Sequence, residues 1–282
     1  MSRDPFAFEK PRRYAVMGYP VSHSLSPLIH AEFARATGLA ITYEAIEVSP
    51  GGFPQAVSHF QALGGAGLNV TVPFKLDAAR FAHRLTPAAA AAGAANVLVL
   101  DTEIVGDNTD GAGLLRDLND NLKIPLAGCD VLVVGAGGAA RGVLGPLSGA
   151  GVKRIVLASR DPGRARSLLA VLGAGLAAPT EAVALHALRG RRFDLVINAT
   201  SAGLSGARPE LPDEAIDSGS IAYDLMYGDG ARPFTAWAHS RGARVTDGLG
   251  MLVEQAALSF GLWHGVYPQT AGVLAMLRRQ TH

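Results

Sequence analysis

The sequence predicts an α/β protein of two domains. Three observations carry that reading. Strand and helix signals alternate along most of the 282 residues. A glycine-rich turn sits between an apolar strand and a helix near the middle of the chain. Two apolar helical stretches close it. The length suits two domains of ordinary size, and a hydrophobic fraction of 49% is enough for buried cores.

Residues 13–18, RYAVMG, read as the first strand. After the loop YPVSHSLSP comes a helix, SPLIHAEFARATG, with Ser26 as N-cap, Pro27 in its first turn and Gly38 at its stop. ITYEAIEV (41–48) alternates like a strand, GGFPQAVSHFQALG reads as a helix, and AGLNVTV as a strand. KLDAARFAHRL follows as a helix with Phe81 and Leu85 on one face. ANVLVL and the segment near TEIVGDN suggest a hairpin. NTDGAGLLRDLNDNL (108–122) reads as a helix that bridges the domains, with Leu114, Leu115, Leu118 and Leu122 on one face.

The second series begins at CDVLVVGAGGAARGVLGPLSGAG (129–151), as strand, turn and helix. VKRIVLASR (152–160) is a strand and GRARSLLAVLG a helix. RFDLVINATSAG (192–203) is a buried strand running into a polar turn. SIAYDLMY (220–227) and ARVTDGLG (243–250) add two strands. Right-handed βαβ crossovers are expected. MLVEQAALSFGLWHG and PQTAGVLAMLRR are the closing helices. Returning to the first domain, they would make it discontinuous: residues 1–112 completed by 250–282, with 113–249 as the second domain.

In VLVVGAGGAARG, Gly135 and Gly137 follow a strand and open a helix, and Ala140 takes the third glycine position. Gly135 permits a tight turn. Gly137 lets the backbone approach a pyrophosphate, which then rests on the N–H groups of the helix end. Strand, turn, helix and next strand together make this a Rossmann NAD(P)-binding domain, with Gly135, Ala136, Gly137, Gly138 and Ala139 at the cofactor. After the second strand come Ser159, Arg160, Asp161 and, a turn later, Arg164. The two arginines can clamp a ribose 2′-phosphate through charge-assisted bonds, which favours NADP. Asp161 would repel that phosphate if it pointed inward, which keeps NAD in play.

Several function classes fall away. Lys and Arg total 25 against 24 Asp and Glu, so there is no basic footprint for nucleic acid and no polybasic membrane patch. Cys129 is the only cysteine, which leaves no disulfide framework and no multi-cysteine zinc site; it reads as a small buried filler. The eight histidines are scattered without metal-ligand spacing, so no metal is expected. The N-terminus is charged throughout and lacks the apolar core of a signal peptide. The longest apolar stretch, 88–100, is too short to span a bilayer. A soluble, cytoplasmic protein is the expectation, as monomer or homodimer.

Four polar features in the first half resist explanation by packing. SHSLS places Ser24 and Ser26 at a helix entrance. NVTVPFK ends a strand with Thr71 and Lys75. Asn96 interrupts the apolar GAANVL, and Asp110 follows GDNT at the start of the bridging helix. Each has an ordinary reading: a cap, a snorkelling lysine, a turn residue, a first-turn acid. Together they can do more. Serine hydroxyls can hold a carboxylate, Asn and Thr can hold sugar-like hydroxyls, and a Lys–Asp pair can move a proton beside a hydride carrier.

SHSLSP, NVTVPFK, GAAN, GDNTDG, GAGGAARG, NATSAG and GLGMLVEQAA occur in this order, and the set resembles that of the shikimate dehydrogenases from about residue 14 to 265. The resemblance implies NADP-dependent, reversible reduction of 3-dehydroshikimate to shikimate, in a cleft between the two domains. It implies Ser24 and Ser26 on the substrate carboxylate, and Thr71, Asn96 and Gln255 on ring hydroxyls. Lys75 and Asp110 become the catalytic pair and Tyr227 a substrate contact. Leu225 and Gly248 would line the nicotinamide end, with Thr200 and Ser201 giving backbone contacts to the cofactor. The family's NADP-binding members commonly read Asn-Arg-Thr where this chain has Ser159-Arg160-Asp161. Rival readings are a quinate or dual quinate/shikimate dehydrogenase using NAD, and a dinucleotide-binding regulator without turnover. A related folate dehydrogenase would want tyrosine four residues before the lysine, where this chain has Thr71.

Overall fold

The computed structural model describes residues 11–280. Most of the charged N-terminal segment read above lies outside the described residues. Twelve strands and ten α-helices form two six-stranded sheets among these residues.

The first sheet holds β1 (Arg12–Gly18), β2 (Ile41–Glu47), β3 (Gly65–Val70), β4 (Arg84–Leu85), β5 (Val97–Val99) and β6 (Val105–Asp107), in the order β2-β1-β3-β5-β6-β4. β1 pairs in parallel with β2 and β3, whereas β5 pairs antiparallel with β3 and β6. Its helices are α1 (Ser26–Thr37), α2 (Phe53–Ala62), α3 (Lys75–Phe81) and α4 (Pro87–Ala92). The α1 helix stops at Gly38, whose φ of 71° suits a residue without a Cβ.

α5 (Asp110–Arg116) leads to the second sheet, built from β7 (Asp130–Val134), β8 (Arg154–Ser159), β9 (Thr180–Ala184), β10 (Leu195–Asn198), β11 (Ile221–Asp224) and β12 (Arg244–Thr246). All its ladders are parallel, in the order β12-β11-β10-β7-β8-β9. The order reverses between β7 and β10, which opens a crevice at their carboxyl ends. α6 (Gly138–Gly149), α7 (Pro162–Leu172) and α8 (Arg232–His239) belong to this half. α9 (Leu249–His264) and α10 (Ala271–Gln280) return to the first half, where Val253, Phe260 and Leu277 pack with Ile29 and Phe33 of α1.

The structure corrects several boundaries. The strand through NVTV ends at Val70, because pairing stops ahead of Pro73, which has no N–H to donate. The helix from Lys75 ends at Phe81, so Leu85 lies on the short β4 and does not share its face. The bridging helix is α-helical only over Asp110–Arg116 and widens into a π-turn at Asp117–Asn121. Leu114 and Leu118 are still fully buried, with Leu115 and Leu122 packed beside them. β11 and β12 are shorter than the stretches read as strands, and β9 had no counterpart in the sequence reading. Cys129 is half-buried rather than core, with its thiol 3.2 Å from the Pro125 carbonyl.

Candidate active site

Local folding delivers Lys75 to the site. After β3, the Thr71 N–H donates to the Met17 carbonyl at 2.9 Å and the Phe74 N–H to that of Thr71. Phe74 is buried and stacks on Phe53 with centroids 5.2 Å apart, which pins the turn. Lys75 is then the first residue of α3. Its Nζ donates to Asp110 Oδ2 at 2.6 Å, with side chains only 12% and 4% exposed. A pair this dry is costly to break, because either charge alone would be left buried.

Asn96 ties the pair to its surroundings. Its Nδ2 donates to Asp110 Oδ1 at 2.9 Å and lies 3.1 Å from Gln255 Oε1. Its Oδ1 accepts from the Thr109 N–H at 2.8 Å. The Asp110 N–H donates to Asn108 Oδ1, and the Asn108 amide donates to the Ala94 carbonyl. Gln255 reaches the network from α9 and anchors its own amide on the Leu252 carbonyl. Sequence reasoning missed Asn108 and Thr109, although both stand inside GDNTDG. It also missed Tyr43, whose hydroxyl donates to Asn69 Oδ1 at 2.7 Å while Asn69 donates to Ser259. Both partners lie far from Asn69 in sequence.

At the entrance of α1, Ser24 Oγ accepts from the Ser26 N–H at 3.2 Å. Ser26 is not the cap expected of it: Leu25 occupies that position, and no side-chain cap bond forms. Ser26 is buried instead, as the first residue of the helix. Tyr227 arrives from the loop after β11 and packs in the cluster that contains Leu25 and Leu28. Burial pushes its phenol up, against a hydrogen bond to the Leu25 backbone. Thr71 lies against Gly18 rather than within this network, where an added Cβ at Gly18 would strike its methyl group.

The glycine-rich turn meets Lys75 and Asp110 from the other half. Gly135 has φ 111°, where a Cβ would come within 3.0 Å of the Ala199 carbonyl. Gly137 precedes α6 with open space around it, which leaves the helix N–H end accessible. Ala136 and Ala139 pack against the second-half core. A Cβ at Gly138 would lie 3.3 Å from Lys75 Cβ, and one at Gly142 would lie 2.9 Å from Asn108 Oδ1 and 3.0 Å from Asp110. Small residues on α6 therefore let it seat directly on the pair. These features suit a dinucleotide, with the pyrophosphate at the α6 end.

Around the crevice, Asn198 Oδ1 accepts from both the N–H and the hydroxyl of Thr200, and its amide donates to Asp224. Asp224 also accepts from the Met226 N–H. Burial raises this carboxyl to about 7. The Gly248 N–H donates to the Met226 carbonyl, and a side chain at Gly248 would collide with the Leu225 carbonyl. Ser201 is exposed on the rim. Ser159 ends β8, and Arg160 and Arg164 are exposed beyond it. Asp161 is engaged by its own helix, with Oδ2 3.8 Å from Arg164 Nε. It caps α7, accepting from the N–H groups of Gly163 at 2.8 Å and Arg164 at 3.4 Å.

Three family models match the chain. Residues 16–98 match the shikimate dehydrogenase substrate binding domain, 118–216 match shikimate / quinate 5-dehydrogenase, and 248–278 match the shikimate 5′-dehydrogenase C-terminal domain. The shikimate dehydrogenase (NADP(+)) of Aromatoleum aromaticum is 54% identical over 95% of this chain and 97% of its own. That of Dechloromonas aromatica is 50% identical over 94% and 97%. Among solved structures, an Ael1 enzyme from Pseudomonas putida superposes with a TM-score of 0.84 at 45% identity, covering 94% of this chain and 97% of its own. The Thermus thermophilus shikimate 5-dehydrogenase in complex with NADP(H) and shikimate gives 0.81 at 34% identity, over 95% and 98%. The chain belongs to the shikimate dehydrogenase family.

Proposed function

We propose that this chain catalyses the reversible, NADP-dependent reduction of 3-dehydroshikimate to shikimate, with Lys75 and Asp110 as the catalytic pair. One observation carries the reading: the buried 2.6 Å bond between them lies directly under the first turns of α6. Bound NADPH supplies the hydride. Lys75 hydrogen-bonds the ring carbonyl, stabilises the oxyanion that develops and gives it a proton. A lysine can do this where an arginine cannot, because a guanidinium does not release its proton. Asp110 orients the ammonium and accepts a bond from a neighbouring hydroxyl. Asn96 holds Asp110 from the far side, so the pair needs little rearrangement at the moment of reaction.

On the substrate, Ser24 and Ser26 receive the carboxylate, Thr71, Asn96 and Gln255 the ring hydroxyls, and Tyr227 closes over them. Backbone groups of Gly135, Ala136, Gly137, Gly138 and Ala139 hold the pyrophosphate. Ser159, Arg160 and Arg164 take the adenosine end with its 2′-phosphate, Thr200 and Ser201 contribute backbone contacts, and Leu225 and Gly248 flank the nicotinamide. NADP is favoured over NAD by Arg160, which has no hydrogen bond or ion pair among the described residues, and by Asp161, which caps α7 and pairs with Arg164 at 3.8 Å. The Thermus relative, with NADP(H) and shikimate bound together, supports both ligands.

Residues 1–112 with 250–282 form the substrate domain in this account, and 113–249 the dinucleotide domain. β1 to β6 fall in the first range and β7 to β12 in the second. Lys75, Asn96, Asp110 and Gln255 come from one chain, so a monomer or a homodimer can carry the site. We take the protein to work in the cytoplasm, where its one cysteine stays a thiol; among the described residues no helix is long and apolar enough to cross a membrane. The test is an assay of reduced-nicotinamide absorbance with shikimate and with quinate, each with NADP and with NAD. Shikimate with NADP should turn over fastest. Turnover with none of the four pairs would leave only a dinucleotide-binding regulator.

A further inference from the structure

The edge of the second sheet carries a feature that the mechanism does not use. A cavity of about 670 Å³ opens beyond the carboxyl ends of β8 and β9. One wall begins with Arg160, the residue after β8. The facing wall is the short 3₁₀ segment Leu185–Leu188 and the residue after it. Strand register explains why they meet. Ser159 pairs with Ala184, so Arg160 and Leu185 leave the parallel ladder side by side, and His186 and Arg189 follow within the next turn. His186 and Arg189 are exposed and line the same cavity as Arg160.

The lining carries three carboxylates against two arginines, but the carboxylates are largely engaged by other groups. Of its three carboxylates, Asp213 is bound to Arg241 and to the Trp237 indole N–H, and Glu214 accepts from the Gly190 N–H. Of the three, only Glu210 has no such bond among the described residues. Arg160 and His186, by contrast, have no hydrogen bond or ion pair among the described residues, and Arg189 acts on Glu214 only through its field. Arginines left without hydrogen-bonded partners on one concave wall, with an imidazole beside them, can donate to a negative ligand.

We infer that His186 and Arg189 form, with Arg160, a second wall of the site for the cofactor's 2′-phosphate, and so set the preference of this chain for NADP over NAD. This rests on the proposed use of NADP, and it extends that use to residues that no sequence motif marks. A pyrophosphate at α6 would fix the middle of the cofactor. The ribose then falls over the end of β8, and the 3₁₀ segment is the nearest structure beyond it. Arg189 can offer a bidentate contact to phosphate oxygens, and His186 one ring N–H.

The test uses the intact protein and two soluble probes, 2′,5′-ADP and 5′-AMP, which differ by the phosphate in question. Their dissociation constants are measured by calorimetry for the wild type and for Arg160→Ala, His186→Ala and Arg189→Ala. The ratio of the two affinities is the readout, so a variant that is merely less stable does not mimic the effect. Arg189→Ala should lower the preference for 2′,5′-ADP about tenfold, and His186→Ala by about threefold. An unchanged ratio in both, with Arg160→Ala reducing it, would overturn this second wall and leave the NADP reading standing. A wild type that does not distinguish the probes would overturn both.

Discussion

The catalytic corner and the adenosine edge solve opposite problems. At the corner, Lys75, Asp110, Asn96, Thr109 and Gln255 are already bonded to one another, and Asp110 and Asn96 are almost fully buried. At the edge, Arg160 and His186 are exposed, with no hydrogen bond or ion pair among the described residues. In the proposed mechanism the corner presents a proton donor in one geometry, which order built in during folding would supply. The edge, as proposed, attracts and holds a soluble anion, which needs groups left open until the ligand arrives. Substitutions should therefore damage chemistry and stability together at the corner, and affinity alone at the edge.

The largest effect should come from Asp110→Asn. It keeps the shape but removes the charge that positions Lys75, and kcat should fall by about 10²–10⁴-fold. A kcat near wild type in steady-state assays would mean that the lysine needs no partner. Asn96→Ala comes next. It strips the bond from Asp110 Oδ1 and leaves the Thr109 N–H unsatisfied, so urea unfolding should show a loss of about 1–3 kcal/mol along with reduced kcat. Unchanged stability would show that the network is not cooperative with the fold. Arg160→Ala should raise the KM for NADPH by about tenfold while moving stability by no more than about 0.5 kcal/mol. If it unfolded the protein more readily than Asn96→Ala, the contrast between the two regions would be wrong.

The smallest effects sharpen the contrast between the two halves through pH. In the first half, His30 is fully buried and stacked on Tyr43 at 4.1 Å, and burial, with the nearby His264, lowers it to about 3. The folded state then binds fewer protons than the unfolded one. His30 contributes stability that is complete above the unfolded value of about 6.5 and is lost as pH falls toward 3. In the second half, Asp224 runs the other way. Its raised carboxyl makes the folded state bind more protons, so its contribution is complete below the ordinary carboxylate range and is lost as pH rises through about 7. Urea midpoints across pH for His30→Phe and Asp224→Asn should each lose one of these slopes. A variant whose pH profile parallels the wild type would remove that group from the account.

Legibility followed how local each cause is. The parallel second sheet was readable because apolar strands, a glycine turn and helix signals sit next to one another, and Gly135 and Gly137 announce their conformational needs. Lys75, Asn96 and Asp110 were readable as polar residues out of place. That Asn96 is the joint between Asp110, Thr109 and Gln255 was not, because Gln255 lies on a helix that returns from the end of the chain. β9 escaped notice because Thr180–Ala184 is a short edge strand whose pairing with β8, rather than its composition, makes it one. For the same reason His186 and Arg189 carried no signal: only the register between Ser159 and Ala184 brings them to Arg160. Asp161 looked like an argument for NAD until its carboxylate was seen capping α7, a use written two and three residues downstream in Gly163 and Arg164.

The central claim is that Lys75 supplies the proton. The most direct test is Lys75→Ala, assayed with shikimate and NADP across substrate concentrations. A loss of kcat of about 10²–10⁴-fold with a smaller change in KM is predicted. A kcat close to wild type would contradict it, because the 2.6 Å bond to Asp110 would then serve only to hold the buried polar network of the substrate domain together.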